Sequence, residues 1–166
     1  IGVFDRSSPL PTGGHLEQAD GTAWMALFSQ NMLEIAAELA LVDPIYESMV
    51  LKFAEHFVSI AVAMDQPGDG NDKMWDEQDG FFYDVLCLPN GFNQRLKIRS
   101  MVGFLPLCAT SLIEPELRSK FPGILERIAR FFERHPEVKL NNSALGAKGF
   151  QDRRVLTVVD EKKLRK

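Results

Sequence analysis

The run Gly13–Leu41, G-G-H-L-E-Q-A-D-G-T-A-W-M-A-L-F-S-Q-N-M-L-E-I-A-A-E-L-A-L, constrains the chain more than any other stretch. A polar loop stops abruptly at a helix start. Asp20 is placed to cap: its carboxylate can accept the free N–H groups of the first turn, and its charge suits the positive helix end. From Thr22 the pattern is helical and strongly apolar. Trp24, Phe28, Ile35 and Leu39 form one side, Met25, Met32 and Ala36 widen it, and Gln30, Asn31, Glu34 and Glu38 leave a narrow polar strip. A helix so apolar around its circumference is expected to be buried on most sides, within a larger helical body. The loop residues His15, Glu17, Gln18 and Asp20 at its mouth suit a polar ligand. A capped core helix with a solvated lead-in accounts for the same residues.

The chain before this run is irregular, broken by Pro9, Pro11 and Gly13-Gly14. After it, Asp43-Pro44 is a restart signal, an acid at the cap and proline at the first helical position. Tyr46, Met49, Val50, Phe53, Phe57, Ile60, Ala61 and Met64 fall at helical spacing and predict a second helix to about Met64. The short link makes the pair an antiparallel αα-hairpin. Asp65–Asp79 is rich in glycine and acids, but Lys73 and Trp75 fall where a calcium loop needs ligands. No metal is expected there.

From Gly80 the period changes to two. Phe81, Tyr83, Val85 and Cys87 alternate with Phe82, Asp84, Leu86 and Leu88; Pro89-Asn90-Gly91 is a turn, and Arg95–Arg99 alternates again. These residues predict a β-hairpin between helices. Its aromatics Trp75, Phe81, Phe82 and Tyr83 stand beside Asp76, Glu77, Asp79 and Asp84. Such a mixture suits a sugar, whose C–H faces pack on rings while its hydroxyls bond carboxylates; a hairpin packing its aromatics on helix ends fits equally. Met101–Ile113 predicts a third helix with Pro106 near its start or kinking it. Pro115–Lys120 predicts a short helical piece, and a fifth helix begins at Pro122. Asn141–Arg154 reads as loop and Val155–Val159 as a short β segment, with a capped helix start at Asp160. Repeated helix pairs with a β insertion point to a mainly α fold of the α/α toroid type.

The 166 residues carry a net charge of −4, with 45% hydrophobic and 25% charged residues, which suits one ordinary globular domain. No basic stripe interleaved with aromatics favours nucleic acid. No apolar run reaches the roughly 18 residues of a membrane span, and no secretory signal opens the chain. The cytoplasm is the expected compartment. Cys87 and Cys108 lie in apolar contexts without metal-ligand spacing and read as buried free thiols. The start at Ile1 and the very short helix after Asp160 read as the ends of a fragment of a larger domain.

His15, His56 and His135 are scattered, with no metal pair and no nucleophile beside them. A phosphate loop is absent. What remains are carboxylates in aromatic-rich loops: Asp5, Glu17, Asp20, Asp76, Glu77 and Asp79. Glycoside hydrolysis needs little else. One carboxyl protonates the leaving oxygen and another activates water, about 6.5–9.5 Å apart when configuration inverts.

Three motifs in order, G-V-F-D-R-S-S-P-L-P-T-G-G-H-L-E-Q-A-D-G-T-A-W-M-A, W-D-E-Q-D-G-F-F-Y-D and R-S-M-V-G-F-L-P-L, closely resemble bacterial members of glycoside hydrolase family 63. That family includes the glucosidase that trims N-glycan precursors and is similar to mannosylglycerate hydrolases. The resemblance covers nearly the whole chain. It implies part of an (α/α)6 barrel with an inserted β-hairpin, an inverting mechanism, an α-glucosidic or related substrate, and no organic cofactor. It places the general acid just before Ile1, with Asp5 the nearest aspartate that can align instead, and the general base beyond Lys166. Asp20 and Trp24 match the D-x-x-x-W element after the acid loop. Asp79, Phe82 and Arg99 fall in matched motifs and are expected to line the cleft.

The expected partners are an oligosaccharide or small glycoside and the rest of the same polypeptide, and the isolated chain is expected to be inactive. Two other classes fit the residues. A sugar epimerase on an α/α toroid requires a cleft lined by His15 and His56. A non-catalytic interaction module requires helix faces with exposed apolar stripes.

Overall fold

Two antiparallel helices frame the computed structural model, which describes residues 6, 8–11, 13–65, 73–121 and 150–166 together with positions 123, 126, 130 and 133. Helix α1 is Ala19–Ala40 and helix α2 is Glu47–Asp65. Between them the Asp43 carboxylate accepts the Ile45 N–H at 3.0 Å, and Pro44 opens a 3₁₀ turn, Pro44–Tyr46, that leads into α2. The acid–proline signal thus acts as read, one turn before the α-helix proper.

The two helices meet through small residues on α1 and large ones on α2. Ala19, Ala23 and Ala26 share a core with Phe57, Val58, Ala61 and Met64. Ala36, Ala37 and Ala40 share a second with Val50, Phe53 and Phe121. Alanines let the partner backbone approach, and the phenylalanines fill the space that remains. This corrects the expected orientation of α1. The side formed by Trp24, Met25, Phe28, Ile35 and Leu39 is 43–56% exposed. Gln30, read as part of the polar strip, is fully buried, and its amide Nε2 donates to the Leu156 carbonyl at 2.8 Å.

Strands β1 (His15–Glu17), β4 (Asp84–Cys87) and β5 (Asn93–Leu96) form an antiparallel sheet with β4 in the centre. Its register pairs His15 with Cys87 and Val85 with Arg95. The β4–β5 hairpin turns at the expected Pro89-Asn90-Gly91, where Gly91 takes φ +81°. Strands β2 (Trp75–Asp76) and β3 (Phe81–Phe82) make a two-stranded ladder beside it.

Met101–Ile113 departs from the expected helix. Met101–Cys108 is a 3₁₀ helix started by Ser100, whose Oγ accepts the Val102 N–H at 3.3 Å. Proline at 106 lacks the N–H that an α-helix interior uses. Thr110–Ile113 then becomes strand β6, paired with β7 (Arg154–Thr157) from far along the chain. A Cβ on Gly103 would lie 2.1 Å from the Phe81 ring and 2.4 Å from the Phe82 carbonyl, so the 3₁₀ helix rests directly on β3.

The short helix α3 spans Pro115–Lys120, as expected. Of the helix expected from Pro122, positions 123, 126, 130 and 133 are described and helical; the rest lies outside the described residues, as do most of 141–154. Asp160 caps a last helical turn, Glu161–Leu164, accepting the Lys163 N–H at 2.7 Å.

The expectation of a mainly α chain, part of an (α/α)6 barrel, is therefore corrected. The described residues form a small mixed α/β domain of one long helical hairpin and three small antiparallel sheets. A toroid needs helix pairs in succession, and after α2 the chain turns to strands. Cys87 is buried, as expected, whereas Cys108, expected to be buried, is exposed. No helix among the described residues is long and apolar enough to cross a membrane.

Candidate functional site

The β3–β4 segment carries charged clusters on two sides. On one, Arg6 forks onto Asp20, with Nη1–Oδ2 and Nη2–Oδ1 both at 2.6 Å, while Nη2 also reaches both oxygens of Asp84 at 2.8 Å. Asp84 is the residue that stabilises the start of α1. Its Oδ1 accepts the Ala19 N–H at 2.9 Å, from a strand rather than from the preceding turn. Gln18 precedes the helix without a side-chain cap, and Asp20 sits inside the first turn, where it also accepts the Gly21 N–H. The hydrogen bonds from Arg6 hold the Asp20 carboxyl below the usual carboxylate range, against the upward push of partial burial. Asp20 in turn raises Arg6.

On the other side, three cations converge on two acids. Asp76 is 3% exposed and pairs with Arg95 and with Lys97, the latter at 2.7 Å. Its second oxygen accepts the backbone N–H groups of Gln78 and Asp79 at 2.9 and 2.8 Å. Burial pushes the Asp76 carboxyl up, but Lys97, the Asp79 N–H and Arg95 together outweigh it and hold the group well below its ordinary range. Lys97 also reaches Asp79 at 3.0 Å. The Tyr83 hydroxyl donates to Asp79 at 3.2 Å and accepts from the Arg99 Nε at 3.3 Å. Arg99 lies 5.9 Å from the Phe81 ring centre, and Phe81 meets the half-exposed Phe104 edge-on at 5.1 Å. The side chains of Asp79, Lys97 and Arg99 are 25, 48 and 64% exposed, so this cluster has a buried floor and an open rim.

Of the residues expected at a site, Asp79 and Arg99 come together on that rim. Asp20 lies in the Arg6 cluster. Trp24 stands on the exposed side of α1, and Phe82 is buried with its ring 4.8 Å from that of Trp75. Asp5 lies outside the described residues. Of the histidines, His15 is on β1 and His56 is exposed on α2 with its ring edge-on to Phe53, while His135 lies outside the described residues. Arg6, Lys97 and Phe104 were not singled out from the sequence, whereas Tyr83 and Asp84 were named there as part of the aromatic–carboxylate mixture that suits a sugar. For Lys97 a signal was there: Arg95, Lys97 and Arg99 alternate, and extended backbone sends alternate side chains to one side. The pairing of Arg6 with Asp84 left no signal, since 78 residues separate them.

The β1–β4 register also brings His15, Glu17 and Cys87 together, with one nitrogen, oxygen or sulfur from each within 4.8 Å of the others. This is a borderline-soft donor set of the kind zinc takes, one ligand short of the closed four-coordinate sites that hold structural zinc. The four aspartates of the charged clusters have a different chemistry. Each is paired with a guanidinium or ammonium; at Asp20 and Asp76 this holds the carboxyl below its ordinary range, the reverse of what keeps a general acid protonated near neutrality.

No protein-family profile matches the chain, and no solved structure does. A Saccharomyces cerevisiae protein named "Uncharacterized protein YMR196W" is 41% identical over 176 residues, which takes in 99% of this chain and 16% of the yeast protein. The chain thus spans about a sixth of the length of the curated relative it matches.

Proposed function

We propose that this chain is part of an inverting glycoside hydrolase acting on α-glucosidic or related linkages of an oligosaccharide or small glycoside. It supplies substrate contacts, while the carboxyls that transfer protons come from elsewhere in the full-length polypeptide. The observation that carries this reading is the open rim of Asp79, Tyr83, Lys97 and Arg99 beside the exposed ring of Phe104. Charged and phenolic groups there can bond sugar hydroxyls, and an aromatic ring offers an apolar face for the C–H side of a pyranose. The sequence resemblance of the three motifs supports the same class. The exposed free thiol of Cys108 suits a reducing compartment such as the cytoplasm.

The test is hydrolysis of a panel of α-glucosides by the full-length protein, with the anomer first released read by NMR. Inversion is expected. Retention, or no hydrolysis of any α-glucoside, rejects the proposal. Arg99→Ala and Asp79→Ala are expected to raise KM about tenfold, a loss near 1.4 kcal/mol of binding, with kcat within about twofold.

A second reading, a non-catalytic interaction module, is favoured by the exposed apolar side of α1. An absence of hydrolysis together with tight binding of a separate protein would support it.

A further inference from the structure

Helix α1 has two apolar sides and only one of them is used. At 100° per residue, Trp24, Met25, Phe28, Ile35 and Leu39 fall within an arc of about 100°. Each is 43–56% exposed. Met32 lies within the same arc and continues the i, i+4 ridge of Trp24 and Phe28, although it is partly buried against the Ala36–Phe53 core. The opposite side, from Ala19 to Ala40, is buried against α2. Asn31, Glu34 and Glu38 occupy a strip only about 60° wide between them. Helices at a protein surface carry one apolar stripe facing the core, and a helix apolar over most of its circumference is an interior helix. A row of an exposed tryptophan, a phenylalanine and three further apolar side chains, Met25, Ile35 and Leu39, is the kind of patch that marks an interface.

The comparison with the yeast protein indicates what covers it. Nearly all of this chain aligns to a sixth of that polypeptide, so most of the relative lies outside the aligned segment. We propose that the Trp24–Leu39 side of α1 is an internal interface of the full-length protein, covered by an apolar helical surface contributed by polypeptide outside residues 1–166. The i, i+4 ridge of Trp24, Phe28 and Met32, with Ile35 and Leu39 beyond it, is shaped to lie in the groove of a neighbouring helix. The proposal stands apart from the glycosidase reading, because it concerns what encloses α1 and not which reaction is catalysed.

Hydroxyl-radical footprinting of the full-length protein tests it without any substitution, since tryptophan and methionine are reactive. Modification of Trp24 and Met25 in the native protein is compared with the same protein unfolded in guanidinium. Burial under other polypeptide is expected to slow both at least tenfold. Protection of only about twofold, which is what their 56% and 53% exposure gives, overturns the proposal. Protection that disappears on dilution from micromolar to nanomolar assigns the cover to a second copy or a separate partner and also overturns it. A photo-crosslinking amino acid at position 25 completes the test. An intrachain product to a peptide outside 1–166 supports the proposal, while a product within 1–166 or to another protein contradicts it.

Discussion

The two charged clusters use the same ingredients to different ends. Around Arg6 one cation serves two carboxylates, and all three groups are half-buried. Around Asp76 three cations serve two carboxylates, with one acid sealed beneath and the other at the surface. The first ties a loop residue, the start of α1 and strand β4 into one knot. Its charges are consumed by that task, since Arg6 meets both acids and Asp84 also holds the Ala19 N–H. The second leaves Lys97 and Arg99 with exposed surface above an anchored floor. Charge that is spent on architecture and charge that remains available for a ligand are thus separated by a single strand.

Removing the floor should have the largest effect. Asp76→Ala takes away the carboxylate shared by Arg95, Lys97 and two backbone N–H groups at once and leaves Arg95, largely buried, with the Lys73 carbonyl but without this counter-charge. A loss of about 3–5 kcal/mol is expected in denaturant unfolding. A loss below about 1 kcal/mol would mean that the floor is not the anchor described here. Next comes Arg6→Met, which leaves Asp20 and Asp84 facing each other without a counter-charge. The expected cost is about 1–3 kcal/mol, and Arg6→Met combined with Asp84→Asn should recover part of it, because the repulsion is removed. Equal costs for the single and double variants would show that Arg6 acts by packing alone.

Acid titration should show the smallest difference and also separates the clusters. Asp76 is depressed in the folded protein, so its contribution is complete above the unfolded carboxylate value of about 3.9. It is lost as pH falls below that toward the folded value, because the unfolded chain then binds the proton first. Asp20 acts in the same direction. Wild-type stability should therefore fall more steeply than that of Asp76→Asn below pH 4, by at most about 1.4 kcal/mol per pH unit for one proton. Above pH 5 the two curves should run parallel. A difference in slope near neutrality would implicate another group.

The helical hairpin was legible because α1 and α2 repeat at 3.6 residues and Asp43-Pro44 punctuates them. The hairpin turn was legible for the same local reason. What failed is equally specific. In α1 both the alanine side and the Trp24 side follow the helical period, and hydrophobicity ranks the larger residues first; the closeness of α2 decides for the alanines. Thr110–Ile113 continues an apolar run that looks helical, and it becomes a strand because β7 lies beside it, a partner 47 residues away at Thr157. The rim was half legible: Asp79, Tyr83 and Arg99 were marked, whereas Lys97 and Phe104 gained their places from the folding of β3, β5 and the 3₁₀ helix onto one another. The cap supplied by Asp84 illustrates the limit. A carboxylate 65 residues from the helix it starts obeys no local rule.

The β6–β7 ladder sets Ile113 directly against Arg154. Chain that leaves at one of these residues re-enters at the other, and the Thr110–Thr157 hydroxyl contact at 3.0 Å locks the far end of the gate. Growth of the excursion is therefore cheap, since doubling its length adds only about 0.6 kcal/mol of closure entropy. A longer or shorter excursion leaves both the ladder's register and the hydrogen bond from Gln30 to the Leu156 carbonyl their local geometry.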